Sequence, residues 1–276
     1  MAEEAKKAVQ NLKNVAPELG RLVNVIEGEE NLENYLVNAH EDYGAVAATV
    51  TSTAASLWPY KLIAFILEKL VTEGRLNLQT MTPVEKIDVP IDSKGRHCLH
   101  TPRGSISTKH VILATNAYTS HLLPEFEELI VPDRAVMSAL LPPLGARSLS
   151  NSYGFVGVKG NSPKFHDYLI QRPSSGVPNP GGHLMFGGGW VAASLDSIGE
   201  TDDSVLDEDS AEYLREQLLY LLELGGASNV IDELKATHQW CGIIGRSKDQ
   251  HPWIGAVPDR TGVWLAGGYS GTCTML

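Results

Sequence analysis

The chain has 276 residues, enough for one large domain or two small ones. Its hydrophobic content of 43% and charged content of 20% are those of a globular protein and exclude a disordered or fibrous class. A net charge of −11 argues against nucleic acid or an anionic membrane as partner, because neither attracts an acidic surface.

The opening residues, MAEEAKKAVQNLKN, hold no apolar h-region and so do not read as a secretory signal. No run of about 18 apolar residues occurs, so no membrane span is expected. The cytosol is the expected compartment. Cys98, Cys241 and Cys273 lie far apart without C-x-x-C spacing, which argues against a disulfide framework or a zinc site.

Residues 3–16 read as a helix, with Ala5, Val9, Leu12 and Val15 at helical spacing, and 30–39 as a second, short one. Trp58-Pro59 opens a clearer helix, in which Leu62, Ile63, Ile66, Leu67 and Leu70 share a face and Gly74 marks the stop. Arg75 to Thr80 alternates like a strand through Leu76 and Leu78 and would complete half of a βαβ unit. A meander follows, with strands near 84–89, 96–101 and 105–108, joined by the turn residues Asp92-Ser93-Lys94-Gly95 and Pro102-Arg103-Gly104. Lys109 to Ala114 reads as a fully buried strand of a parallel sheet.

Beyond Pro132 the texture becomes strand-rich, with strands at 134–140, 153–158, 165–172 and 183–190. A hairpin-like connection over 172–182 separates the last two. A helix over 208–224 follows, capped by Asp207 or Ser210, with Leu214, Leu218, Leu219, Leu221 and Leu222 as its apolar side. Strand texture returns at 236–242 and 262–267, the last running into Gly267-Gly268-Tyr269-Ser270-Gly271.

Two strand ends carry the chemistry. Val111-Ile112-Leu113-Ala114 runs into Thr115-Asn116-Ala117, and Val263-Trp264-Leu265-Ala266 into the glycine-rich stretch. In open α/β sheets ligands lie beyond the carboxyl ends of strands, and glycine lets backbone approach a flat or anionic ligand. Among single residues, Arg134 suits a carboxylate-binding fork. Tyr168 and Arg172 share one strand face. Lys248 is the best placed cation in a group with His238, Arg246 and His251.

The order of motifs resembles FAD-dependent oxidoreductases of the D-amino-acid oxidase type, including glycine and sarcosine oxidases and fungal members. The carrying motifs are Pro83-Val84, Ala114-Thr115-Asn116-Ala117, Pro132-Asp133-Arg134, Gly187-Gly188-Gly189, Trp240-Cys241-Gly242, Asp249 to Gly255, and Gly267 to Gly271. The resemblance implies FAD as cofactor, with Val84 at the adenine and Ala114, Thr115 and Asn116 at the pyrophosphate and ribose. Near the flavin it places Gly242, Asp249, Gly267, Gly268, Tyr269, Ser270 and Gly271. Lys248, Tyr269 and Arg134 are the candidate residues for the reaction, and Cys241 raises a covalent flavin link. The implied reaction moves a hydride from the carbon beside an amine nitrogen to flavin, with dioxygen as acceptor and an amine or amino-acid-like substrate.

The expected architecture is α/β (α+β): a split Rossmann-like FAD domain at 1–131 and 236–276, with a mostly antiparallel substrate-domain sheet inserted at 132–235. One departure stands out. The family's opening strand, G-x-G-x-x-G turn and helix seat the pyrophosphate, and this sequence has no such unit. Thr272 and Cys273 also depart from the family's closing turn. The expectation is a chain truncated at both ends. Exposed sheet edges would then favour an oligomer. The alternative is a non-redox remnant, or a subunit completed by a partner, that does not hold FAD alone.

Overall fold

The computed structural model describes residues 2–39, 45–88, 95–158, 166–174 and 181–271. In chain order the elements are helices α1 (Ala2–Val15) and α2 (Pro17–Gly20), strand β1 (Val23–Glu27), α3 (Glu29–Glu33), β2 (Ala47–Thr51) and α4 (Pro59–Thr72). The meander follows as β3 (Lys86–Asp88), β4 (His97–Thr101) and β5 (Gly104–Thr108), then β6 (Val111–Leu113) and the short α5 (Thr119–Leu122). The remainder is β7 (Ile130–Leu140), β8 (Tyr153–Val156), β9 (His166–Gln171), β10 (Leu184–Gly188), α6 (Glu208–Leu221), β11 (Ala236–Ser247), β12 (Trp253–Ala256) and β13 (Val263–Gly267).

The chain divides into two compact units. The first comprises residues 1–54, 134–197 and 202–242; the second comprises 55–133, 198–201 and 243–276.

The first unit is built on a five-stranded sheet in the order β11-β7-β10-β9-β8, with β10 antiparallel to β7 and to β9, and β9 antiparallel to β8. Its core gathers Val136, Leu140, Phe155, Leu169, Leu184 and Phe186 from the sheet, and Ala211, Tyr213, Leu214, Leu218 and Leu221 from α6. Alternation along the strands puts one set of side chains on a single face, and the 3.6-residue period of α6 presents a matching stripe. Asp207 caps α6 by accepting from the Ser210 amide at 2.8 Å. The antiparallel β1–β2 pair also belongs here, with Ile26 and Ala48 packed on the same core.

The second unit holds two three-stranded sheets, β12-β13-β6 and β3-β4-β5. β6 and β13 are parallel, in the register Val111 to Val263 and Leu113 to Leu265; β12 is antiparallel to β13. Val111, Leu113, Val263 and Leu265 face a core with Ile87, Leu123, Phe126 and Ile130. The opposite face is exposed and apolar, with Ile112 at 72%, Ile254 at 72% and Trp264 at 45% of full exposure. α4 buries none of its residues, although Leu62, Ile63, Phe65 and Ile66 line it.

Four expectations change, the first being that the short helix expected over 30–39 is α3, which ends at Glu33. Residues 75–80 form no strand: their Leu76–Leu78 alternation has no ladder partner among the described residues, and a strand is stable only when its backbone groups are paired. β6 is buried on one face only. The helix over 208–224 ends at Leu221, three residues early, and Gly225 and Gly226 turn the chain at positive φ. The antiparallel β1–β2 pair was not expected. The turn residues Asp92-Ser93-Lys94, residues 175–180 of the connection, and Thr272 and Cys273 lie outside the described residues.

Candidate functional site

The two strand ends named from the sequence lie together because β6 and β13 are parallel neighbours. Asn116 joins them. Its φ of 46° is a left-handed conformation that asparagine tolerates better than most residues. In that conformation its Oδ1 accepts from the backbone amides of Gly268 at 2.9 Å and Tyr269 at 3.3 Å. Gly245 packs against the same carboxamide, and a Cβ there would lie 2.7 Å from Oδ1. The Ser270 amide donates to the Gly245 carbonyl at 2.8 Å. The successive amides of Gly268, Tyr269 and Ser270 are therefore satisfied within the protein.

Beside this junction, Thr115 and Thr119 share a hydroxyl–hydroxyl contact of 3.0 Å, and Thr119 also donates to the Asn116 carbonyl. Immediately after it lies an open groove of about 490 Å³, lined in part by Tyr118, Ser120, His121 and Glu127. These residues were not picked out from the sequence. The available signal was their place directly after a strand end, in the run Tyr118-Thr119-Ser120-His121.

The other named residues of this unit take up supporting positions. Val84 packs half-buried on the core, and Ala114 is exposed. Gly267 and Gly268 are buried and Gly271 has a φ of 79°. The Tyr269 backbone bridges to Arg246, whose guanidinium donates to the buried carboxylate of Asp133. Ser270 Oγ accepts from the Ser247 amide at 3.0 Å. Asp249 accepts from the His251 amide, the Trp253 indole and the Ser247 hydroxyl, and these bonds, led by that from His251, hold its carboxyl below the usual range. Lys248 is exposed, and its backbone amide donates to the Leu129 carbonyl.

In the first unit, Arg134 is buried and donates to the carbonyls of Asp196 and Asp202, both at 3.2 Å. Gly242 belongs to this unit and has open space around it. Cys241 is buried, its thiol donates to the Val205 carbonyl at 3.3 Å, and burial pushes its pKa up. The three glycines 187–189 make room for neighbours: a Cβ on Gly187 would meet the Tyr168 ring at 2.6 Å, and one on Gly188 would meet Asp167 Oδ1 at 2.1 Å. Asp167 is fully buried and accepts from the Tyr213 hydroxyl at 2.6 Å and the Gly189 amide at 2.8 Å. Burial pushes both Asp167 and Tyr213 upward.

A family model described as FAD dependent oxidoreductase matches residues 2–274, and the chain belongs to that family. Solved structures share its fold. Glycine oxidase from Geobacillus kaustophilus aligns over 97% of this chain and 63% of its own, with 19% identity and a TM-score of 0.64. L-proline dehydrogenase from P. horikoshii aligns over 99% of this chain and 66% of its own, with 19% identity and a TM-score of 0.66. Iminodiacetate oxidase from Chelativorans sp. BNC1 aligns over 99% and 65%, with 14% identity and a TM-score of 0.65. The chain thus spans about two thirds or less of the length of these neighbours. A search of curated protein sequences gave no match. No helix among the described residues is long and apolar enough to cross a membrane.

The family depends on FAD, and the site can be tested against that group. Parallel strand ends, small residues and neutral hydroxyls suit a dinucleotide. The amide pair of Gly268 and Tyr269 does not, because the Asn116 carboxamide already occupies it.

Proposed function

We propose that this chain contributes to an FAD-dependent oxidoreductase acting on a C–N bond of an amine or amino-acid-like substrate, with dioxygen as electron acceptor. The carrying observation is the junction of the β6 and β13 ends beside the Tyr118–His121 groove, in a chain matched by the FAD-dependent family over 2–274. Val84, Ala114, Thr115 and the stretch Gly267 to Gly271 are the residues assigned to the cofactor, with Gly242 and Asp249 as further contacts. When bound, FAD supplies the hydride acceptor, so the protein's part is binding and orientation. Asn116 holds the two strand ends in register. Lys248 is assigned to stabilising negative charge, Tyr269 to covering the site and Arg134 to holding the loop between Asp196 and Asp202. The second unit is assigned to the cofactor and the first to the substrate.

A second reading has its own support. α4 exposes its apolar side chains, and so does the Ile112–Trp264–Ile254 face. A subunit completed by a partner, and holding no FAD by itself, accounts for both surfaces. The visible spectrum of the purified chain, with and without added FAD, separates the readings. A bound-flavin band that bleaches with an amine supports the oxidoreductase. Folded protein with no band and no change in melting temperature with FAD overturns it for this chain alone.

A further inference from the structure

The β3-β4-β5 sheet carries a cluster that the proposed reaction does not use. Cys98 and His100 are two residues apart on β4 and therefore project from the same face. Asp88 on β3 stands directly opposite Cys98, and Ser105 on β5 directly opposite His100. The ligand atoms of Asp88, Cys98 and His100 all lie within 4.8 Å of one another. All three side chains are half-buried, within reach of solvent but backed by sheet.

We propose that Asp88, Cys98 and His100 form a binding site for a divalent transition-metal ion of the zinc class. The donor set selects the class: a thiolate and an imidazole favour zinc or cobalt, whereas magnesium and calcium prefer all-oxygen sites. Bond lengths of about 2.0–2.3 Å place tetrahedral zinc ligands roughly 3.3–3.8 Å apart. The His100 Nε2 to Asp88 Oδ2 distance of 2.7 Å opens slightly on binding, and the thiol closes by at most about 1.5 Å from its 4.8 Å limit.

The surroundings already orient two of the ligands. Lys86 holds Asp88 Oδ1 at 2.9 Å, which leaves Oδ2 turned toward His100. Ser105 Oγ lies 3.3 Å from His100 Nδ1. A metal-bound histidine donates its other ring N–H to such an acceptor, which fixes the tautomer with the Nε2 lone pair on the metal. Three protein ligands leave the fourth position to water, and the ion pins β3 to β4 across a pairing of only three residues. The Lys86 ammonium opposes the incoming cation, so it limits the affinity.

Cobalt(II) titration of the purified chain tests this directly, since a thiolate ligand gives a charge-transfer band and a four-coordinate site gives intense visible bands. The expected result is one cobalt per chain, with the charge-transfer band absent in Cys98→Ser and the visible bands weakened in His100→Ala and Asp88→Asn. Competition with zinc displaces the cobalt. Ser105→Ala weakens binding by about 10-fold, and Lys86→Gln tightens it. Melting curves without metal establish that each variant is folded. An absent charge-transfer band in folded wild-type protein overturns the proposal. So does a band that survives in Cys98→Ser, which would assign the thiolate to Cys241 or Cys273.

Discussion

α4 and α6 are both 14-residue helices carrying leucines at helical spacing, yet α6 buries seven residues and α4 buries none. α6 has a folded sheet to lie on, reached by Leu214, Leu218 and Leu221, all but the last fully buried. α4 has the composition of a packed helix without the packing. The pair shows that an apolar stripe states a demand for burial, and only the rest of the chain decides whether it is met.

The largest predicted contrast comes from truncating each stripe. Leu214→Ala should cost about 2–5 kcal/mol in urea denaturation, through lost burial and the cavity left behind. Ile66→Ala in α4 should change stability by roughly 0.5 kcal/mol or less. Equal costs would mean that α4 is covered in solution.

Tyr213→Phe is the next step down. It leaves the buried Asp167 carboxylate without one of its donors, at about 1–3 kcal/mol. Burial raises the folded Asp167 pKa, so this carboxyl is stabilising below the ordinary carboxylate range and loses that contribution as pH rises through the raised value. Asp167→Asn should flatten this part of the pH–stability curve.

Asp207→Ala should cost about 0.5–2 kcal/mol by removing the α6 cap. Burial alone would raise the Asp207 carboxyl, but the bonds from Ser210, Leu195 and Ser194 together hold it below its usual value. The sign is therefore opposite to that of Asp167. The contribution is present above the ordinary carboxylate range and is lost as pH falls through the lowered value, a loss that Asp207→Ala should not show.

Asn116→Ala should cost about 1 kcal/mol for the loss of its ties to Gly268 and Tyr269. It frees two amides at the strand ends. If those amides belong to an anion site, FAD affinity should rise or hold while the melting temperature falls. A parallel loss of both would confine Asn116 to a scaffold role.

What was legible in the sequence follows the same division. The cap and apolar stripe of α6 are legible because they are local, whereas its end is not, since the helix stops three residues before the expected position; the β4–β5 turn is legible because it too is local. Residues 75–80 misled because alternation says nothing about a distant ladder partner. The uniformly apolar residues of β6 predict burial on both faces; the exposure of Ile112 depends on what lies over the sheet. The strand ends after β6 and β13 were legible as a pair. The role of Asn116 was not, since it rests on a left-handed backbone and a partner 152 residues away.

That separation has a consequence in time. β6 finds its parallel neighbour only when Val263 to Leu265 are available, so the second unit's sheet closes a loop of some 150 residues. Loop-closure entropy must be met before any contact on that ladder repays it, and non-local parallel pairing is slow for that reason. During synthesis the meander and α4 emerge well ahead of β13. The β12-β13-β6 sheet should therefore be the last element to gain protection in pulsed hydrogen exchange, after the β9–β10 pair has formed.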